Sequence, residues 1–171
     1  SDTAQIAIQA SLTGHLVFST LHTNDASGTI TRLVDMGVEP FLVTSTLEAV
    51  LAQRLVRKIC TYCKEEYTPD PEIVADLGLK PDDVKTHKFY RGAGCVKCNN
   101  SGYKGRTGIY ELLQLNEEIR QLVIEKAHTA LIKKAAVKSG MKTLLEDGLE
   151  KIYLGVTSVD EVLKEAQTSV L

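Results

Sequence analysis

An α/β fold carrying an inserted four-cysteine module and a helical C-terminal end is predicted for this 171-residue chain. Three observations predict it. Residues 1–59 alternate helix, strand, two helices and strand, the pattern of an α/β layer with a parallel sheet. Two matched pairs, Cys60-Thr61-Tyr62-Cys63 and Cys95-Val96-Lys97-Cys98, stand with 31 residues between them. After a strand pattern at 107–114, every apolar repeat has helical spacing. The chain divides accordingly into 1–59, 60–106 and 107–171.

The elements follow in order. Residues 2–13 read as a helix capped by Ser1 or Asp2, with Ala4, Ile8, Ala10 and Leu12 as apolar contacts and Gly14 as the stop. His15 to His22 reads as a strand on Leu16, Val17, Phe18 and Leu21. Thr23-Asn24-Asp25 caps a helix over 26–36, whose core face is Ala26, Ile30, Leu33 and Val34 and which Gly37 ends. Pro40 suits the first turn of a helix over about 40–52, and 54–59 reads as a strand running into Cys60. Asn116 and Thr129 are caps for helices at 117–126 and 130–139, the second stopped by Gly140. Residues 141–154 carry Met141, Leu144, Leu145, Leu149 and Ile152 on one stripe, and Ser158 with Glu161 forms a capping box for the last helix. The tail 167–171 is expected to fray.

Two Cys-x-x-Cys knuckles aim four thiolates at one point, the arrangement a tetrahedral zinc ion takes. Closing the intervening loop adds little cost, because closure entropy grows slowly with length. Redox pairs or disulfides are the alternative, which a second matched pair disfavours. A closed four-sulfur site leaves no position for a reactive water, so Cys60, Cys63, Cys95 and Cys98 are expected to hold a structural Zn²⁺.

Composition narrows the classes. The chain is 43% hydrophobic and 25% charged, with a net charge of -2. That suits an ordinary globular protein and offers no global attraction to nucleic acid. No apolar run approaches the roughly 20 residues of a membrane span, and no signal peptide pattern opens the sequence. Free cysteines arranged for zinc point to a reducing cytoplasm. Ser1-Asp2-Thr3 enters a helical pattern directly, without an initiator Met, as expected of a cut inside a larger protein.

The second informative segment is Ser19-Thr20-Leu21-His22-Thr23-Asn24-Asp25, at a strand end that leads into a helix. Ligands of open α/β sheets sit beyond the carboxyl ends of strands. Alternation puts Thr20 and His22 on one side, where hydroxyl and imidazole can bond a phosphate or a water. A helix-capping turn with a satisfied histidine fits the same residues, and spacing alone favours it. Arg54, Arg57, Lys58, Lys64, Lys97, Lys104 and Arg106 crowd the zinc section, and compensating its negative charge explains most of them. A basic zinc module that binds nucleic acid is the competing reading. The exposed-looking aromatics are few, and no recognition helix follows the knuckles.

The order of these blocks resembles one family. Asp2-Thr3-Ala4, Ile8 to Val17 and Ser19 to Ala26 look like the secretion ATPase superfamily just past its Walker B motif. Gln53-Arg54-Leu55-Val56-Arg57 leading into Cys60, Cys95 to Glu111, and the late Asp147-Gly148 helix are similar to the branch that drives type II secretion and type IV pilus assembly. The resemblance spans roughly residues 1–166. It implies the C-terminal part of a RecA-like P-loop ATPase core with the zinc subdomain inserted. The family's Walker A loop, Asp box, arginine-finger region and Walker B glutamate have no counterpart here and are expected upstream, so the chain alone is expected to be inactive.

The resemblance further implies a homohexameric, cytoplasmic motor, peripheral on the inner membrane. Its expected partners are a membrane platform protein and accessory assembly proteins, with ATP and Mg²⁺ in the whole protein and no nucleic acid. His22 is expected near the nucleotide γ-phosphate, with Thr20 beside it, and Arg54 is a candidate nucleotide contact. Gly108-Ile109-Tyr110-Glu111 and Gly140 to Leu144 favour pilus extension, with type II secretion the alternative.

Overall fold

The computed structural model of the chain describes residues 2–167. The expected cap at Ser1 or Asp2 and the expected fraying at 167–171 fall on residues or side chains outside that description. Packing divides the chain into two units, 1–52 with 111–142 and 53–110 with 143–171.

The first unit is built from helices α1 (Asp2–Leu12), α2 (Ala26–Asp35) and α3 (Pro40–Thr46), together with α6 (Glu117–Ile124) and α7 (Thr129–Lys138). Strand β1 (Ala49–Ile59) starts in it and strand β4 (Tyr103–Gln114) ends in it. Apolar spacing buries one stripe of each element. Ile30, Val43, Leu113, Ile119, Val123 and Ile132 form one core, with Ala4 and Ile8 of α1 packed against it. Side-chain caps set where the helices begin. Asp25 accepts the Gly28 N–H at 2.8 Å and Asn116 accepts the Ile119 N–H at 2.9 Å. For α7 the cap is His128, whose Nδ1 faces the Ala130 N–H at 3.3 Å, one residue before the expected Thr129. Thr129 instead pairs its hydroxyl with Thr31 of α2 at 2.7 Å.

Three expectations fail in this unit. Residues 15–22 form neither strand nor helix, and Leu16 and Phe18 stand 82% and 88% exposed. A strand needs a paired neighbour, and no described strand pairs with this segment. The parallel sheet is likewise absent among the described residues. β1 pairs with β4, and the Leu115 N–H to Glu48 carbonyl and Cys60 N–H to Gly102 carbonyl bonds at its two ends make that pair antiparallel. The helix expected to run to residue 52 ends at Thr46. The hydroxyls of Thr44, Ser45 and Thr46 bond back to the carbonyls of Phe41 and Leu42, competition that weakens a helix end. Leu47 is already extended, and the chain joins the β1–β4 ladder.

The second unit opens on the outer half of β1. Strand β2 (Lys64–Tyr67) pairs antiparallel with β3 (Phe89–Gly92), Lys64 opposite Gly92 and Tyr67 opposite Phe89. Short helices α4 (Pro71–Asp76) and α5 (Pro81–Thr86) lie between these strands in sequence, and α8 (Leu144–Tyr153) and α9 (Val159–Gln167) complete the unit. The stripe predicted over 141–154 is broken. Gly140, at φ +100°, turns the chain, and Met141 joins the core of the first unit. The helix then starts beyond Thr143, which exchanges capping-box bonds with Glu146. Gly148 of α8 sits against α9, where a Cβ would collide with the side chain of Val162.

The two groups of the capping box expected at α9 are committed to long-range bonds. Glu161 accepts the Arg57 N–H at 2.9 Å and the Arg57 guanidinium at 2.6 Å. Ser158 pairs with the hydroxyl of Tyr103 at 2.8 Å, and Arg57 lies over the Tyr103 ring, 4.1 Å from its centroid. The Arg57 hydrogen bond holds the Glu161 carboxyl below its usual range, against the opposing effect of burial. A depressed folded pKa contributes stability that is complete above the unfolded glutamate value, about 4.3, and is lost as pH falls through the folded one. Glu161→Gln is therefore expected to cost about 1–3 kcal/mol at neutral pH. The gap from wild type should close on acidification. Urea melts of both proteins at neutral and acid pH check this, and a gap that does not change with pH rules the ion pair out as its source.

Candidate functional site

Local turns shape each cysteine knuckle. Cys60 directly follows β1, and the Cys63 N–H reaches back to its carbonyl at 3.3 Å. The second knuckle turns through a single 3-10 turn, Val96–Cys98, with Asn99 and Asn100 both left-handed after it. Asn tolerates that conformation better than most residues. The β2–β3 pairing then brings the knuckles together, because β2 follows Cys63 directly and β3 leads into Cys95. The Ala93 N–H to Cys63 carbonyl bond and the Cys60 N–H to Gly102 carbonyl bond, each 2.9 Å, close the module. Gly102, at φ +76°, and Gly92 approach so tightly that a Cβ on either would strike the other's backbone.

The result is four unbonded sulfurs, all within 4.8 Å of one another. Cys60 and Cys95 are 3.9 Å apart at Sγ, Cys63 and Cys98 3.9 Å, and Cys95 and Cys98 3.7 Å. A tetrahedron with zinc–sulfur bonds of about 2.3 Å has edges of about 3.8 Å. The cluster is therefore compatible with a zinc ion. Burial pushes the Cys63 thiol up to about 12. Burial acts in the same sense on Cys98, but the N–H groups of Cys95 and Gly102 donate to its sulfur at 3.2 and 3.3 Å, and with the neighbouring thiols they bring it down to about 6. These two backbone donors are the outer partners that hold a thiolate ligand in place. Of the surrounding cations, Arg57 is engaged by Glu161, while Lys64 and Lys104 lie over Tyr90 and Tyr62.

The second candidate segment is divided in two. Thr20 and His22 are exposed in a stretch without regular structure, and no hydrogen bond or ion pair to the described residues holds either side chain. From Thr23 onward the chain is anchored. Thr23 pairs with Thr29 at 2.6 Å, Asp25 caps α2 and receives Lys133 at 3.2 Å, and the Ala26 N–H donates to Glu111 at 2.9 Å. Arg54 lies partly buried on β1 and is engaged there. Sequence reasoning assigned no role to Glu111 or Lys133. Glu111 had a signal: it occupies the inward phase of β4 between Ile109 and Leu113, a polar residue in an apolar alternation. Lys133 had none, since its contact spans 108 residues of sequence.

A family model described as "Type II/IV secretion system protein" matches residues 1–164. The "Type IV pilus assembly ATPase PilB" of Thermus thermophilus is 51% identical over 163 residues, covering 95% of this chain and 18% of that protein. The "Type II secretion system ATPase E" of Vibrio cholerae is 48% identical over 168 residues, covering 98% of this chain and 33% of that protein. Among solved structures, the pilus retraction motor PilT with bound ADP superposes at a TM-score of 0.61. It is 24% identical, and the match covers 96% of this chain and 36% of the motor chain. The chain thus spans a third or less of the length of these two curated relatives.

The cysteine geometry sets a metal prediction. Protein purified without chelator is expected to carry one equivalent of zinc per chain by elemental analysis. Cys98→Ser should leave well under half an equivalent and lower the melting temperature, because binding and local folding are coupled. Wild-type protein with no bound zinc rules out the assignment.

Proposed function

The chain belongs to the Type II/IV secretion system protein family, and on that basis we propose that it is the C-terminal portion of a hexameric, ATP-hydrolysing motor for type IV pilus assembly. The observation that carries the proposal is about half identity to such ATPases over nearly all of this chain. A type II secretion motor is the second reading, favoured by relatives of equal likeness that carry that name. The fragment reading draws support from the share of each relative that is matched. The motor is proposed to lie on the cytoplasmic face of the inner membrane and to work with a membrane platform protein. No helix among the described residues is long and apolar enough to cross a membrane.

Within such a motor the two halves of the chain divide the work. The zinc cluster is a staple. With four protein ligands it leaves no open position for substrate. Bound Mg²⁺ and a phosphate-cradling loop elsewhere in the polypeptide supply most of the ground-state affinity for ATP. This chain contributes the imidazole of His22 and the hydroxyl of Thr20. Both are exposed and not consumed by bonds to the described residues. An imidazole aimed at the γ-phosphate stabilises charge that grows during transfer.

In the intact motor, His22→Ala is expected to lower kcat by about 10²–10³ with little change in KM for ATP. Thr20→Val should act in the same direction but less, since a neutral hydroxyl makes the weaker bond. His15→Ala is the control, because among the described residues the His15 side chain bonds only Thr13, just past α1. The isolated chain should show no ATP turnover above background. Wild-type turnover by His22→Ala overturns the role of His22, and turnover by the isolated chain overturns the fragment reading.

A further inference from the structure

The strand–helix contact through Glu111 has a use that burial alone does not explain. Its side chain lies on β4 between Ile109 and Leu113, and the residue is 1% exposed. A carboxyl group in such surroundings is costly unless its oxygens are bonded. Its Oε1 takes the N–H of Ala26, the first residue of α2, at 2.9 Å. Helix starts leave N–H groups of this kind without internal partners. The cap residue Asp25 already serves Gly28, so a second first-turn N–H is held by a residue 85 positions away.

The consequence falls on His22. Upstream of it, residues 15–21 have no regular structure. Immediately downstream, three successive anchors fix the chain: Thr23 on Thr29, Asp25 on Lys133 and Ala26 on Glu111. Thr23 and Asp25 are held by α2 and α7. Ala26 alone of these three is held by the strand layer. Glu111 therefore decides where the start of α2 sits against β4, and with it where the tethered chain just after the imidazole lies.

We propose that Glu111 is a positioning residue for His22, holding the exit of the loop through the Ala26 N–H so that the imidazole reaches the phosphate it serves. The inference rests on the role of His22 proposed above. Small displacements suffice, since a misplacement of about 1 Å can cost roughly a hundredfold in rate.

Two variants separate acceptor position from charge. Glu111→Gln keeps an acceptor oxygen at the same reach. Glu111→Asp keeps the acid and withdraws the acceptor by one methylene. In the intact motor, Glu111→Asp is expected to lose about tenfold or more in kcat with KM for ATP within about twofold, and Glu111→Gln to stay within about threefold of wild type. Combined with His22→Ala, Glu111→Asp should cost nothing further, because its effect passes through the imidazole. A damaged His22→Ala combined with a multiplicative double variant overturns the positioning role alone. So does an active Glu111→Asp beside an inactive Glu111→Gln. A His22→Ala motor that turns over like wild type overturns the proposed function, and this inference with it.

Discussion

The antiparallel pairing of β1 with β4 is the constraint on which the other features depend. It joins residues 49–59 to residues 103–114 across a long excursion of chain. At one end the Cys60 N–H to Gly102 carbonyl bond sets the first knuckle beside the segment that follows the second. At the other the Leu115 N–H to Glu48 carbonyl bond delivers Glu111 to the inward phase, where it meets α2. In a strand the side chains alternate faces, so a slip of one residue would turn Glu111 outward and Leu112 inward.

The second unit rests on small apolar cores. Most of its described buried apolar side chains fall into two small clusters, one around Phe89, Ile152 and Val162 and one of Val56, Ile109 and Leu144. Small cores of this kind supply limited stability and are commonly reinforced by metals or disulfides. Polar ties add to these clusters. Asp147 accepts the Tyr110 N–H at 2.8 Å and Lys151 on the same oxygen, Oδ2, and Glu161 receives Arg57 twice. Both carboxyl groups bind a strand backbone to a C-terminal helix.

The first unit shows the opposite condition around residues 15–22. Leu16 and Phe18 are apolar and solvent-facing, and Thr20 and His22 carry hydrogen-bonding groups that nothing in the described chain engages. Three residues later the backbone is held by helix caps and a buried carboxyl group.

Much of the architecture was readable from residues close together in the chain. The spacing of Cys60, Cys63, Cys95 and Cys98 specified the sulfur cluster, because each knuckle is a local turn and the loop between closes at little cost. The caps at Asp25 and Asn116 were legible for the same reason: donor and acceptor lie three residues apart. The misreadings share the reverse cause. The strand at 15–22 and the parallel sheet each required knowing which segment would stand opposite, and an apolar run does not state its partner. Met141 and Leu144 share one stripe yet enter different cores, because Met141 lies in the irregular segment 141–143 and the helix begins only at Leu144, beyond the Thr143 cap. Glu111 on Ala26, Lys133 on Asp25 and Glu161 on Arg57 join residues 85 to 108 positions apart. Such pairs exist because folding brings their elements together, and no periodicity along the chain encodes them.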